Sequence, residues 1–281
     1  MSTIAFAILA GIAVLLAGSL PWVGVPGIGG LASWNLRALP TVPWAIVPMA
    51  LYLWAYWKYI SGRIGSTDSS KMRQANLRAN PLSADVWGMA LITGLIGFGA
   101  LLALLGIMAR LVTMPPSARI TMPEGMPAAT SVLLLAMSSI VAGITEEAGF
   151  RGYMQGPIER GYGPAAGILV NGVMFGLMHF PNHPSSVLTM LPYYIGVSAV
   201  YGGLTWATNS ILPGLVLHAG GNIFSLTRLW ITGRPEWQTA ERAPTLIRDT
   251  GGDAAFIVSV IACLTFGGLT AWLCTQMRRE Q

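Results

Sequence analysis

Apolar segments of about 17–25 residues recur along the whole chain, and each is long enough to cross a bilayer as one helix. Inside a bilayer the backbone must satisfy its own hydrogen bonds, so such segments fold as helices. The chain is 53% hydrophobic and 10% charged, whereas soluble proteins carry about 25% charged residues. We therefore predict an all-α fold, a polytopic membrane protein with a bundle of about eight transmembrane helices. They are expected at about residues 4–20, 42–59, 86–108, 128–150, 164–179, 187–206, 211–230 and 254–275.

The polar connections between these helices indicate their orientation. Residues 61–85 contain several basic side chains and are predicted to be a cytoplasmic loop, with or without an amphipathic surface helix. Residues 151–163, rich in glycine, are predicted to form a turn. With both termini in the cytoplasm, nine Lys and Arg residues lie on the cytoplasmic side and seven on the other. This weak bias favours cytoplasmic termini. The net charge of +5 is spread over the loops, so it reflects membrane topology rather than nucleic-acid binding.

Two adjacent carboxylates interrupt an apolar stretch near the middle of the chain. Glu146 and Glu147 follow residues 128–142, which contain no charged side chain. A charge near the bilayer centre costs about 2.5–3.5 kcal/mol even on lenient scales, so such residues are rare and usually functional. On a helix, Glu147 and Arg151 lie four residues apart and can pair on one face. Glu146 points about 100° away, so its partners are expected from other helices.

Two histidines lie in predicted helices that follow. His179 ends the fifth helix, four residues after Phe175, and His218 lies within the seventh, four residues before Asn222. That spacing lets His218 and Asn222 address a single point. Each feature has an ordinary interpretation, because a Glu–Arg pair can pin helices together, and lone histidines and asparagines commonly hydrogen-bond within apolar cores. Their presence on three separate helices, among spans with almost no other ionisable group, favours one shared site.

Three short motifs, in this order, resemble those of the CAAX prenyl protease 2-like family, also called the CPBP or Abi family of intramembrane proteases. They are EE-x-x-x-R at Glu146, Glu147 and Arg151, F-x-x-x-H at Phe175 and His179, and H-x-x-x-N at His218 and Asn222. The resemblance covers about residues 128–230. It implies an eight-helix endopeptidase in which a glutamate, together with a histidine, activates water inside a membrane cavity.

Carried over by position, the resemblance implies that Glu146 is the general base and that His179 orients or activates the water. His218 and Asn222 would stabilise the oxyanion, and the neighbouring Glu–Arg pair would support the site. These roles agree with the needs of peptide hydrolysis, which are a base and donors aimed at the developing negative charge. With the helix boundaries above, however, Glu146 lies toward the inner end of its helix and His179 at the outer end of its own. We therefore expect a shifted fifth helix or helices broken around a cavity.

We expect a mechanism that uses no metal cofactor. If the enzyme depends on zinc instead, the expected ligands are Glu146, His179 and His218. The two cysteines both lie in the last apolar segment, which excludes a disulfide framework and a cysteine-based zinc site. A metalloprotease motif of the HExxH type is absent, because His179 and His183 have no glutamate between them.

Other catalytic types can be compared with the same residues. An aspartyl protease needs two aspartates in its spans, and no predicted span contains one. A catalytic serine–histidine dyad remains an alternative, because Ser138, Ser139 and Ser198 lie in predicted helices, although no glycine-rich serine motif accompanies them. Two other classes also stay open: a non-enzymatic immunity or scaffolding protein, and a proton-coupled transporter. The transporter would favour inverted repeats, and no internal repeat is visible.

The expected partners are a membrane-associated protein or peptide substrate and the lipid bilayer, with no nucleic acid. The Ala/Gly-rich, Lys-poor composition favours a bacterial inner membrane as the location. We expect one membrane domain in three parts. Residues 1–127 hold the first three helices and the cytoplasmic loop, residues 128–230 form the protease-like core, and residues 231–281 form a loop and the last helix.

Overall fold

The computed structural model describes residues 2–114, 120–179, 187–234, 238 and 245–280. Within these ranges the chain is helical apart from connections and one isolated bridge between Val25 and Gly29, which confirms the all-α fold. In chain order the helices are α1 (Thr3–Val23), α2 (Leu31–Ala38), α3 (Ile46–Ile60), α4 (Thr67–Leu77), α5 (Ala84–Leu111), α6 (Ala128–Glu146), a π-helical segment (Glu147–Met154, the π segment), α7 (Gln155–Tyr162), α8 (Pro164–Met178), α9 (Val187–Thr208), α10 (Leu212–Thr232), α11 (Ile247–Thr250) and α12 (Ala254–Arg279).

Each of the eight predicted helices is present, as α1, α3, α5, α6, α8, α9, α10 and α12. In the described part of the chain, four helical stretches are long and apolar enough to cross a membrane by length and composition. They are Thr3–Val23, Ala84–Leu111, Ala128–Tyr162 and Ala254–Arg279, and α8 is a shorter apolar helix. The chain is therefore a multi-span membrane protein, as predicted. The side of the membrane on which the termini lie stays a prediction.

The fourth predicted helix is much longer than expected. α6, the π segment and α7 follow one another without a break, so the helix runs from Ala128 to Tyr162. The predicted turn at residues 151–163 is therefore wrong. Within this segment Gly152 packs the helix against α4, since a Cβ there would lie 3.1 Å from the carbonyl oxygen of Leu77. The helix ends at Gly163, whose φ of 86° favours glycine.

This extension brings two motif residues to the same depth. Gly163 joins the long helix to α8, which packs back against α7 and the π segment. From Glu146 to Gly163 is 17 residues, and from Gly163 to His179 is 16 residues. At about 1.5 Å per residue, both side chains lie about 25 Å from the turn. The expected difference in depth between Glu146 and His179 therefore arose because the fourth helix was predicted too short. The fifth helix lies where it was predicted.

α9 and α10 form a second hairpin, whose turn contains Asn209 with a φ of 47°. α9 packs along α8, α10 packs along α6, and α1 covers the π segment. Phe150, Phe175 and Tyr201, from the π segment, α8 and α9, lie in one buried cluster. The helices that carry the three motifs therefore meet around the π segment.

The predicted cytoplasmic loop at residues 61–85 contains α4, so a helix is present there, but its apolar and polar residues are not separated onto two faces as in the amphipathic helix that was considered. The segment is more than a solvated connection, because Arg73 and Arg78 are each only 6% exposed. α4 also packs against the π segment and α7. The short helices α2 and α11 had not been predicted.

Candidate active site

A fully buried ion pair forms the centre of the site. Glu147 and Arg151 both have side chains with no exposed surface, and Oε1 of Glu147 accepts a hydrogen bond of 3.0 Å from Arg151. Both residues lie in the π segment, a helix type found mostly as short insertions within α-helices and frequently at functional sites. The pairing that their spacing predicted is confirmed.

Arg151 is held from several directions. Its second terminal nitrogen donates to the hydroxyl of Ser198 in α9 at 3.1 Å. Its guanidinium lies 4.9 Å from the ring centroid of Phe175 and 5.2 Å from that of Tyr201. Such cation–π contacts are strongest where water is excluded. The arginine is therefore fixed in place, and with it the carboxylate of Glu147.

His218 reaches the same carboxylate from α10. Its Nδ1 lies 2.8 Å from Oε1 of Glu147, where a protonated Nδ1 donates to the carboxylate. The ring is 5% exposed and stacks on Tyr201 at 5.2 Å with an interplanar angle of 9°. The backbone comes unusually close here, because a Cβ on Gly214 would lie 3.0 Å from Oε2 of Glu147. Glu147 thus fixes the orientation of the imidazole, as carboxylates do for histidines in catalytic sites.

The free nitrogen of this imidazole faces Glu146. Nε2 of His218 lies 3.6 Å from Oε2 of Glu146, just beyond a direct hydrogen bond. The side chain of Glu146 is 22% exposed, whereas that of its neighbour Glu147 is fully buried. The two adjacent carboxylates therefore differ in environment: Glu147 is enclosed by fixed partners, and Glu146 is partly open to its surroundings.

His179 lies beside this network at the end of α8. Its Nδ1 lies 2.8 Å from the carbonyl oxygen of Phe175, and its ring stacks on Tyr194 at 4.5 Å. The Phe175 ring contacts both His179, at 4.8 Å, and His218, at 6.3 Å between centroids. When Nδ1 of His179 donates to the carbonyl, Nε2 is left as a proton acceptor. The two histidines therefore lie around one aromatic ring.

Asn222 lies one turn beyond His218 on α10 and is half-buried. Its side chain forms no hydrogen bond with any other residue in the described ranges. The structure thus joins Glu147, Arg151 and His218 by hydrogen bonds, places Glu146 within 3.6 Å of His218, and brings His179 next to them through Phe175. Asn222 shares a helix face with His218, as its spacing predicted.

The proposed zinc ligands are not assembled in this arrangement. Among the described residues, no three His, Cys, Asp or Glu side chains are grouped closely enough to hold one metal ion. Nδ1 of His179 faces the Phe175 carbonyl, and its ring stacks on Tyr194. The residues as placed therefore do not fit a zinc ion held by Glu146, His179 and His218. Metal dependence itself stays untested.

The serines considered for a dyad have other partners. Ser138 accepts a hydrogen bond from the indole nitrogen of Trp22, and Ser139 donates to the carbonyl oxygen of Leu135. Ser198 binds Arg151. In the residues that the structure covers, no serine hydroxyl is hydrogen-bonded to a histidine. His183, the other histidine of the HxxxH spacing, lies outside the described residues.

The sequence interpretation missed the residues that α9 contributes. Tyr194, Ser198 and Tyr201 contact His179, Arg151 and His218, respectively. Their spacing of four and then three residues places them on one helix face. This polar stripe along an otherwise apolar helix is the signal that would have found them.

Comparison with known protein families identifies the same part of the chain that carries the three motifs. The family model described as type II CAAX prenyl endopeptidase Rce1-like matches residues 128–224. This segment includes every motif residue from Glu146 to Asn222, and it confirms the resemblance over about a third of the chain. Neither the curated proteins nor the solved structures provide a significant match.

Proposed function

We propose that the protein is an intramembrane endopeptidase of the CAAX prenyl endopeptidase type, which hydrolyses peptide bonds in membrane-associated substrates. The observation that carries this proposal is the contrast between two adjacent carboxylates. Glu147 is fully buried and holds Arg151 and His218, whereas Glu146 is partly exposed beside the same imidazole. A water-accessible carboxylate in a rigid, largely dehydrated setting is suited to act as a general base.

In the proposed reaction, Glu146 takes a proton from water as the water oxygen bonds to the scissile carbonyl carbon. The electron pair of the carbonyl π bond moves to its oxygen, which becomes the oxyanion. When this intermediate collapses, the C–N bond breaks and Glu146 returns the proton to the leaving nitrogen. His179 holds the water through Nε2, because its Nδ1 is committed to a backbone carbonyl.

His218 and Asn222 are the proposed donors to the oxyanion. In its imidazolium form, His218 donates to Glu147 through Nδ1 and can donate to the oxyanion through Nε2. Asn222 lies one helical turn away on the same face and has no competing hydrogen bond in the described part of the chain. Donors that are fixed before the reaction contribute most, because they need not reorient as charge develops.

The substrate proposal has a coarse and a fine form. The coarse form is any membrane-associated protein or peptide whose scissile bond reaches Glu146. The fine form is a prenylated protein ending in a CAAX sequence, and it rests on the matched family model alone. We also propose that residues 128–230 form the protease core, that both termini lie in the cytoplasm and that the protein resides in a bacterial inner membrane.

The fine form can be tested with purified protein in liposomes. A farnesylated peptide ending in CAAX is incubated with the protein, and release of the C-terminal tripeptide is measured by mass spectrometry. The matched control is the same peptide without the farnesyl group. We expect the tripeptide from the farnesylated peptide at a rate at least tenfold higher. Equal rates would contradict a prenyl requirement, and no cleavage of either peptide would contradict the CAAX substrate class.

A further inference from the structure

A second buried polar network reaches the backbone of Arg151, and Arg78 is its centre. Arg78 belongs to the connection between α4 and α5, yet it is only 6% exposed. One terminal nitrogen donates to the backbone carbonyl of Arg151 at 2.8 Å, and the other donates to Glu159 in α7 at 3.2–3.3 Å. Arg78 therefore bridges the π segment and α7.

Glu159 extends this network toward α8 and α9. It accepts a hydrogen bond of 3.1 Å from Gln155, which also donates to the carbonyl oxygen of Gly202. Asn171 in α8 donates to Gln155 at 3.2 Å. Burial lowers the pKa of Arg78, and the adjacent carboxylate of Glu159 opposes that shift. The arginine is thus a buried charge with a dedicated partner, which distinguishes it from the solvated loop charge that the sequence indicated.

The backbone next to Arg78 fixes the turn of the second hairpin. The carbonyl oxygen of Arg78 accepts a hydrogen bond from the backbone N–H of Ile211 at 3.0 Å. The Asn80 carbonyl accepts from the hydroxyl of Ser210 at 2.8 Å, and the Asn80 side chain donates to the carbonyl of Asn209 at 2.7 Å. Residues 78–80, which we call the strap, therefore join the turn that precedes α10 to the π segment.

This connection matters because the catalytic network spans both hairpins. Glu147 lies on the π segment and His218 on α10, so their 2.8 Å contact depends on how these two elements are held together. His218 lies eight residues after Ser210, about two helical turns from the strap. A misplacement of about 1 Å in a catalytic group can cost about 100-fold in rate.

We propose that Arg78, with the strap around it, is a positioning residue that sets the π segment and α10 in register for catalysis. The strap lies outside residues 128–224, the segment matched by the family model. This inference rests on the proposed protease function for its kinetic consequences. Its structural consequence, a π segment whose backbone opens more readily without Arg78, does not depend on that function.

The test compares Arg78→Lys with Arg73→Lys in purified full-length protein. Arg73 is the matched control, because it is equally buried in the same loop but donates to the carbonyls of Tyr59 and Ile64, and among the described residues it forms no hydrogen bond with the π segment or α10. Lysine keeps the charge in both variants, but a single ammonium cannot reproduce the guanidinium fork that spans Glu159 and the Arg151 carbonyl. Two readouts are used: the kinetics of peptide cleavage, and backbone hydrogen exchange of residues 147–156.

We expect Arg78→Lys to lower kcat by about 10–100-fold with KM within about twofold of the original value. It should also speed hydrogen exchange in residues 147–156. Arg73→Lys should change neither kcat nor exchange in that segment, whatever its effect on melting temperature. If Arg78→Lys fails to fold, Asn80→Ala supplies the same comparison, because Asn80 is exposed and loses only its bond to Asn209. A smaller fall in kcat, about 2–10-fold, is expected there.

Three results would overturn the proposal. They are unchanged kcat and exchange in Arg78→Lys, equal loss of kcat in the Arg73 control, or, where only Asn80→Ala folds, kcat and exchange equal to those of the original protein. If the original protein cleaves nothing, the protease function fails, while hydrogen exchange still decides whether the strap holds the π segment.

Discussion

Replacing Glu147 by glutamine removes one negative charge from a place where Arg151 is fully buried. Arg151 has no other carboxylate within hydrogen-bonding distance in the described residues, and Ser198 supplies only a neutral acceptor. Glutamine keeps the shape of the side chain, and its amide oxygen can still accept one hydrogen bond. It cannot balance the arginine charge, and it cannot serve Arg151 and His218 with the strength of a carboxylate.

Breaking one partner of a buried ion pair costs about 3–5 kcal/mol, because the other charge is left uncompensated. Both side chains of this pair have no exposed surface, so solvent does not screen the loss. On the scaling for domains of about 150–250 residues, that cost corresponds to a fall of about 10 °C in melting temperature. We therefore expect Glu147→Gln to lower stability and yield, with partial cleavage activity in the protein that stays folded.

The double variant Glu147→Gln/Arg151→Met separates charge imbalance from lost packing. Replacing a whole buried pair by neutral side chains of similar volume is often tolerated. The double variant should thus recover at least half of the stability that Glu147→Gln loses. Arg151→Met alone should be as unstable as Glu147→Gln, because it leaves the buried carboxylate without its cation.

Thermal unfolding can be followed through Cys274, which is 5% exposed in the folded protein and reacts with a thiol-specific fluorophore when it unfolds. Melting temperatures of the four proteins then give the coupling energy between the two side chains. A Glu147→Gln variant as stable as the original protein, with no gain in the double variant, would refute the reasoning. It would mean that the pair is not a desolvated, mutually dependent unit.

Three further predictions concern the metal, the orientation and the packing. Cleavage activity should survive a strong zinc chelator with less than about a tenfold loss, and activity that returns only with stoichiometric zinc would contradict the metal-free mechanism. After replacement of Cys263 and Cys274 by alanine, Thr67→Cys in α4 should be shielded from impermeant thiol reagents in intact cells and react in opened cells. Reaction in intact cells would reverse the proposed orientation. Gly149→Ala should cost about 1–3 kcal/mol in thermal unfolding, because its Cβ would meet the backbone of α1. The control Gly88→Ala, where a Cβ meets nothing within 4 Å, should cost nothing, and equal effects would contradict this contact.

The lengths of the apolar segments predicted the membrane helices, because a helix that spans a bilayer must be apolar whichever helices it packs against. Pro164 marked the start of α8 correctly, since proline fits the first turn of a helix. The same local rules failed between residues 151 and 163, where the glycines indicated a turn. In that segment Gly152 packs closely against the backbone of Leu77 in α4, and a single sequence cannot reveal such a tertiary contact.

The candidate site was predictable where spacing and charge coincide. Glu147 and Arg151 pair as their four-residue spacing indicated, because an unpaired charge in an apolar helix is costly. The difference in exposure between Glu146 and Glu147 was not predictable, since it depends on the approach of α10. Arg78 was also missed, because a basic residue in a polar loop is usually solvated and its partners lie more than 70 residues away in sequence.

The most direct measurement compares new protein N-termini in membranes from cells that produce either the original protein or Glu146→Gln. The variant keeps the shape of the side chain but removes the proton acceptor, and a positioned base contributes about 10²–10⁴-fold to rate. At equal amounts of folded protein, we expect one or more membrane-protein termini that appear with the original chain and disappear with Glu146→Gln. Identical termini in both membranes, with full cleavage by Glu146→Gln, would contradict a protease that uses Glu146 as its base.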